Sequence, residues 1–64
     1  MRMNEMTIAL ADALHIKSAE FWVKLGQPQQ ALRELQILSR RGRKHPWAGR
    51  VWLNAVQTAL NPLA

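Results

Sequence analysis

The chain has a short break, Gly26-Gln27-Pro28, between two runs whose apolar residues recur at helical spacing. Glycine is favoured just past the end of a helix, and proline at the first position of the next one. The apolar run before the break ends at Leu25, and the run after it includes Ala31 and Leu35. The stretch from Ser18 to Leu38 therefore predicts a hairpin of two helices, and the rest of the chain must pack on it.

These patterns predict a single all-α domain over residues 1–64. We expect a frayed tail over 1–4 and three helices, over 5–25, 28–41 and 46–60. Gly42 is expected to stop the second helix, and Pro46 to open the third after a linker over 43–45. The sequence has no alternating run of β-branched residues and no Asn-Gly turn, so it predicts no strand. The expected architecture is an antiparallel hairpin with a third helix packed against it.

The first predicted helix is apolar over more than half of its circumference. One side carries Met6, Leu10, Ala13, Leu14, Phe21 and Leu25, and a second side carries Ala9, Ile16, Ala19 and Val23. A helix of this kind contacts more than one neighbour. We therefore expect Ile16, Phe21 and Val23 to form a surface for a protein partner or a second copy of the chain. Trp47 is a further interface candidate, because tryptophan is enriched at interfaces.

The third predicted helix has an apolar stripe that we expect to face the core. The stripe consists of Val51, Trp52, Ala55, Val56, Ala59 and Leu60. Trp22 and Trp52 both fall on predicted inner faces, and we expect both to be core residues.

The charge is concentrated in the second half of the chain. The net charge is +5, and residues 1–34 contribute nothing to it, because they hold four basic and four acidic residues. Residues 35–64 hold no acid and five cations, Arg40, Arg41, Arg43, Lys44 and Arg50. This asymmetry indicates an anionic partner. Three interpretations stay open for the cluster: a solvated loop, a contact with an acidic protein, or a nucleic-acid site in which Trp47 stacks on a base.

A DNA-binding helix-turn-helix is a competing interpretation of the hairpin. Its second helix would present Gln29, Gln30, Arg33 and Gln36 to the major groove. The cations lie at the far end of that helix, whereas the N-terminal part of a recognition helix normally contacts the bases. We therefore place a nucleic-acid function second to protein binding.

Catalysis and cofactor binding are not predicted. The chain has no cysteine, and its two histidines, His15 and His45, are thirty residues apart, so we expect no metal or other cofactor. Asp12, His15 and Ser18 share one helix, which cannot direct all three at one substrate beside an oxyanion hole. We interpret Asp12 and His15 as part of an exposed polar strip. We expect no enzyme and no small-molecule substrate.

The composition also argues against a membrane protein. No stretch approaches the roughly 20 apolar residues of a membrane span. The N-terminal apolar run is interrupted by Glu5 and Asp12, which makes it a poor secretory signal. Binding to a membrane surface is disfavoured by the Gly26–Pro28 break and by the neutral first half. We expect a cytoplasmic protein.

The hairpin resembles a tetratricopeptide repeat (TPR), a helix-turn-helix unit of 34 residues. In the matching register Gly26 lies between the two helices, Ala19 and Ala31 take the small positions at the helix crossing, and Trp22 takes the aromatic position. Leu35 and Leu38 take the apolar positions of the second helix. The sequence of this segment is similar to that of bacterial TPR proteins at Ala19-Glu20, Leu25-Gly26, Ala31 to Leu35 and His45-Pro46. The resemblance covers roughly residues 12–46. It implies a three-helix, TPR-like bundle of one and a half repeats that binds proteins or peptides.

Overall fold

The computed structural model describes residues 8–61, which fold into four α-helices and contain no strand. The helices are α1 (Leu10–Lys24), α2 (Pro28–Gln36), α3 (Arg40–Lys44) and α4 (Pro46–Leu60). Helix α1 packs against α2 and α4, α2 packs against α4, and α3 packs against α4. The prediction of an all-α bundle is confirmed. None of the helices in this part of the chain is both long enough and apolar enough to cross a membrane.

The turn between α1 and α2 forms where the sequence predicts it. Gly26 has a φ of +76°, in the left-handed region that favours glycine. Its N–H donates to the carbonyl of Val23 at 3.0 Å, and the N–H of Gln27 donates to the carbonyl of Trp22 at 2.8 Å. These two bonds make a Schellman motif, which satisfies carbonyls at the end of α1. Pro28 occupies the first turn of α2, where a missing N–H leaves no helical bond unmade.

The core is built from small and medium-sized side chains. Its buried apolar members are Ile16, Ala19, Ala31, Leu35, Leu38, Ala48, Val51 and Ala55. Ala19 and Ala31 are fully buried, as expected for small residues where α1 and α2 pack together. Ile8, Trp22, Val23, Leu32 and Trp47 pack around this core while remaining partly exposed.

Helix α1 begins later than predicted. Ala9 is its N-cap, with extended backbone at φ −64° and ψ 146°, and Ile8 precedes it outside the helix. Ile8 packs against the core. The predicted helical residues 5–7 and the predicted tail over 1–4 lie outside the described residues.

The predicted helix over 28–41 is two helices, which corrects that expectation. Helix α2 ends at Gln36, and the next two N–H groups donate to carbonyls three residues back, which tightens the last turn. Ser39 then adopts extended backbone and caps α3, with its hydroxyl oxygen accepting from the Gly42 N–H at 3.2 Å. Gly42 therefore lies inside α3 rather than at a helix stop, and residues 43 and 44 are helical rather than a linker.

A polar junction between Asp12, Ser39 and Gly42, here called the Asp12 junction, joins α1 to α3. Asp12 is buried and accepts two hydrogen bonds from Ser39, one from its N–H at 3.0 Å and one from its hydroxyl. Gly42 is buried against the same carboxylate, because a Cβ at this position would lie 2.6 Å from Asp12 Oδ2. The prediction that Asp12 belongs to an exposed polar strip is therefore wrong. Its hydrogen-bond partner lies 27 residues away in sequence.

Helix α4 spans the residues that were predicted, but its inward face differs. Ala48, Val51 and Ala55 are buried, at the i, i+3, i+7 spacing of a single helix face. Trp52 lies about 100° around the helix from Val51 and is exposed, so the prediction that it is a core residue is wrong.

Replacing Gly42 with alanine tests the Asp12 junction. The new methyl group would collide with a carboxylate that Ser39 holds in place, and we expect Gly42→Ala to lower the free energy of unfolding by about 1–3 kcal/mol. The measurement is urea denaturation followed by circular dichroism.

Gly49→Ala is the matched control. No atom lies within 4 Å of a Cβ at this helical position. Alanine is favoured over glycine in a helix by up to about 1 kcal/mol, so this variant should be slightly more stable than the wild type. Equal stability changes in the two variants would contradict the role assigned to Gly42.

Candidate functional site

The basic cluster of the sequence is largely a helix. Helix α3 has the sequence Arg-Arg-Gly-Arg-Lys, and its four cationic residues are exposed whereas Gly42 is buried. Arg50 is exposed in the second turn of α4, which begins two residues after α3 ends. Within residues 8–61, none of the five predicted cations, Arg40, Arg41, Arg43, Lys44 and Arg50, forms an ion pair with a carboxylate.

Arg43 differs from the other four cations because it is bound within the fold. One of its terminal nitrogens donates to the carbonyl oxygen of Gln36 at 2.7 Å. Gln36 is the last residue of α2, where a cation also interacts favourably with the negative end of the helix dipole. Arg43 therefore ties α3 to α2, and Arg40, Arg41, Lys44 and Arg50 remain available to an anionic partner.

Every acidic side chain in the described part of the chain is bonded to another part of the fold. The pairs are Asp12 with Ser39, Glu20 with Trp47 at 2.8 Å, and Glu34 with His15 at 2.9 Å. None of these acids neutralises a cation of α3. The second half of the chain therefore presents positive charge that the fold itself does not balance.

Trp47 has a structural role that the sequence did not indicate. Its indole Nε1 donates to Glu20 Oε2 at 2.8 Å, and its ring packs against the core. Its backbone N–H donates to Nδ1 of His45, which caps α4, at 3.1 Å. The indole thus links the start of α4 to α1. It is partly buried and hydrogen-bonded within the fold, and its role at an interface or on a base stays a prediction.

The predicted interface residues of α1 separate into buried and exposed positions. Ile16 is fully buried, so the prediction that it contacts a partner is wrong, and Val23 is partly buried against the core. Phe21 is exposed as expected. The reason is helical rotation, because residues 16, 19 and 23 form the inward face of α1 and residue 21 lies on the opposite side.

Phe21 belongs to an apolar stripe on the outer side of α1. This outer stripe consists of Leu10, Leu14, Phe21 and Leu25, which are 54–75% exposed. The sequence grouped these residues on one side of the helix but did not identify that side as the one left uncovered. Both sides of α1 are apolar, so periodicity alone could not decide which one faces the core.

A groove between α2, α3 and α4 is the second uncovered apolar surface. It is open to solvent, has a volume of about 810 Å³, and is lined by Leu32, Leu35, Gln36, Leu38, Arg43, Ala48, Gly49 and Trp52. Sequence reasoning missed this groove because it assigned Trp52 to the core. A usable signal was present, since Gly49 and Trp52 lie three residues apart on one side of α4.

The junction that anchors the basic helix has a distinct electrostatic signature. The Ser39 hydroxyl, and then the Ser39 N–H, stabilise the charged carboxylate and lower the pKa of Asp12 below its ordinary value of 3.8. Burial opposes this effect by raising the pKa, and the charge of protonated His15 adds a smaller lowering. The junction is therefore most favourable when Asp12 is ionised.

No family model, curated protein or solved structure matches the chain. The resemblance to tetratricopeptide repeats consequently stays a prediction. Three surfaces of the described residues could serve a function: the cations of α3 with Arg50, the outer stripe of α1, and the groove beside Trp52.

Acid titration tests the electrostatics of the Asp12 junction. Because the folded-state pKa of Asp12 lies below its unfolded value of 3.8, its contribution is fully present well above pH 3.8. That contribution is lost as the pH falls through the lower, folded-state pKa. We expect the unfolding free energy of the wild type to fall more steeply below about pH 4 than that of Asp12→Asn.

Ser39→Ala provides a second arm of this experiment. It retains the carboxylate but removes the hydroxyl, which is the largest cause of the lowered pKa. The folded-state pKa of Asp12 then lies closer to its unfolded value, so the acid-induced loss of stability should be smaller than in the wild type. Superimposable pH profiles for the wild type and Asp12→Asn would contradict this assignment.

Proposed function

We propose that the chain is a small helical protein–protein interaction module that self-associates through the outer stripe of α1. The exposure of Leu10, Leu14, Phe21 and Leu25 on one side of a single helix supports this proposal. Isolated exposed apolar residues are normal on protein surfaces and need no explanation. Here four large side chains are aligned along one side over about 22 Å of helix.

The spacing of the stripe suits a second copy of the chain. Successive members are separated by four, seven and four residues, so the stripe is symmetric about the point between residues 17 and 18. In an antiparallel pair of α1 helices, Leu10 would therefore lie opposite Leu25 of the other copy, and Leu14 opposite Phe21. A twofold interface uses the same patch on both subunits and requires this kind of self-complementarity.

The charges near the stripe are compatible with this pairing. Lys17 and Lys24 border the stripe, and their apolar stems can cover it while their ammonium groups remain in water. The basic helix α3 is joined through Asp12 to the inward side of α1. The two copies of α3 would thus lie away from the shared interface.

This function also agrees with the family resemblance, since the common role of tetratricopeptide repeats is protein or peptide binding. A TPR-like adaptor or scaffold is the corresponding role for this chain. We propose binding rather than catalysis, and a cytoplasmic location, which suits a chain without cysteine.

Sedimentation equilibrium tests self-association directly. Over about 1–300 μM we expect the average mass of the wild type to rise from 7.3 kDa toward twice that value. Phe21→Glu, which places a charge in the centre of the apolar contact, should remain monomeric over the same range. Circular dichroism would verify that the variant keeps its helical content.

Ile37→Glu is the matched control for this experiment. Ile37 is 60% exposed, close to the 58% of Phe21, but it lies at the end of α2, outside the stripe. This variant should associate like the wild type. A wild type that stays monomeric up to the highest concentration would refute the proposal. If Phe21→Glu and Ile37→Glu lost association equally, the assignment of the interface to α1 would be refuted.

Nucleic-acid binding is the second candidate function. The observation in its favour is the exposed set Arg40, Arg41, Lys44 and Arg50, which lies in a half of the chain without any acid. The hydrogen bond from Trp47 to Glu20 weighs against nucleic-acid binding, because it holds within the fold the aromatic side chain that was expected to stack on bases.

Titration with a random-sequence DNA duplex at two salt concentrations tests this candidate. Binding through phosphates should weaken steeply as salt rises, because counterions are released on binding. Arg41→Gln and Arg50→Gln should each weaken binding and reduce the salt dependence, whereas Lys17→Gln, on α1, should have little effect. Absence of salt-sensitive binding even at low salt would eliminate a nucleic-acid function.

A further inference from the structure

The groove between α2, α3 and α4 combines an apolar floor with an exposed aromatic wall. Leu35, Leu38 and Ala48 are buried at its base, and Leu32 is partly buried beside them. Trp52 forms the wall and is 51% exposed. A half-covered tryptophan beside buried leucines provides apolar area that only another molecule can bury.

Gly49 makes the groove accessible to another polypeptide backbone. It lines the groove one turn before Trp52, and no atom lies within 4 Å of the position that its Cβ would take. The absence of a side chain there lets a ligand approach α4 closely. The groove therefore has space beside its aromatic wall.

Cations lie in the lining of the groove and one helical turn from it. Arg43 lines the groove, and Arg40 lies one turn before it on α3. On α2, Arg33 lies one turn before Gln36, another lining residue. The nearest acid in sequence, Glu34, is bonded to His15 of α1 instead. A ligand that fits this surface must be apolar along its centre and negatively charged at its margins.

We propose that this groove binds an amphipathic α-helix of another protein whose polar face is acidic. This inference rests on the proposed function in one respect, that the chain is an interaction module. The groove is a different surface from the outer stripe of α1. The leucine side chains of the bound helix contact Trp52, Leu32 and Leu35, and its carboxylates lie near Arg33 and Arg40.

Charge excludes a second copy of this chain as the occupant. Residues 35–64 contain five cations and no acid, so docking this half of one copy into the groove of another would bring like charges together. The outer stripe of α1 offers no carboxylate to the cations beside the groove, since the residues that border it, Lys17 and Lys24, are basic. Like charges at an interface are strongly unfavourable, whereas an acidic helix makes the complementary pairs.

The fold also favours a helix over an extended peptide. Residues 8–61 contain no strand, and hence no sheet edge to which a peptide strand could be added. The groove lies between α2 and α4, and on both helices lining residues recur four positions apart: Leu32 with Gln36, and Ala48 with Trp52. Rows at this spacing form the ridges between which a further helix packs.

Two fluorescein-labelled synthetic helices of about 18 residues test the proposal. Both carry leucine along one face, and the remaining positions are glutamate and alanine in one peptide and lysine and alanine in the other. By fluorescence anisotropy we expect the glutamate peptide to bind at least about tenfold more tightly than the lysine peptide at low salt, with the difference shrinking as salt rises.

Variants on α4 and α3 locate the binding site. Trp52→Glu should weaken binding of the glutamate peptide by about tenfold or more, because it removes the aromatic wall and adds a repelling charge. Leu53→Glu is the matched control, since Leu53 is 50% exposed on the same helix but does not line the groove. The double variant Arg33→Gln/Arg40→Gln should remove most of the preference for glutamate over lysine.

Trp52→Ala replaces Trp52→Glu if circular dichroism shows that the glutamate variant is unfolded. Equal binding of the two peptides would overturn the proposal, and so would equal effects of the variants at positions 52 and 53. Binding of neither peptide would also overturn it. Binding of a DNA duplex that the Trp52 variants leave unchanged, with no peptide binding, would assign the cations to nucleic acid instead.

The Phe21→Glu variant separates this proposal from self-association. It should lose the concentration-dependent mass increase and still bind the glutamate peptide like the wild type, while Trp52→Glu should do the reverse. If Phe21→Glu abolished peptide binding and Trp52→Glu did not, the peptide would occupy α1 and the groove assignment would be refuted. Sedimentation of the wild type without peptide tests the self-association proposal independently.

Discussion

The hydrogen bonds from Ser39 to the Asp12 carboxylate are the interaction on which the second half of the structure depends. Helix α3 contains no apolar side chain, so the hydrophobic effect cannot hold it in place. Asp12 fixes the residue that caps α3, and Arg43 fixes its other end to the last carbonyl of α2. The direction in which α4 leaves α3, and hence the groove between them, follows from these polar contacts.

The use of carboxylates in contacts within the fold also explains the surface charge. Three acidic side chains secure contacts between elements: α1 with the cap of α3, α1 with α4, and α1 with α2. Asp12 is buried, Glu20 and Glu34 are partly buried, and none of the three pairs with the cations of α3. The strongly positive surface is therefore a consequence of how the fold is held together, and it sets the chemistry of any partner that this half can accept.

Local signals in the sequence predicted the elements whose geometry is local. Gly26 with Pro28 gave the hairpin, and Pro46 gave the start of α4. The Ser39 cap is also a local signal, and recognising it would have divided the predicted second helix correctly. The partner of Asp12 was beyond this reasoning, because it lies 27 residues away. The exposed positions of Trp52 and the outer stripe were missed for a related reason, since helices with two apolar sides do not reveal which side is covered.

The two apolar sides of α1 give Asp12 an importance beyond the contacts it makes. Rotating α1 by half a turn about its axis would place Leu14 and Phe21 inside the bundle, and this alternative packing also buries a large apolar area. In that arrangement Asp12 would face water, and the Ser39 N–H would lose its acceptor. The buried carboxylate thus disfavours the rotated packing, in addition to the close fit of Ala19 against α2. Polar and apolar contacts together give the fold a unique orientation of α1.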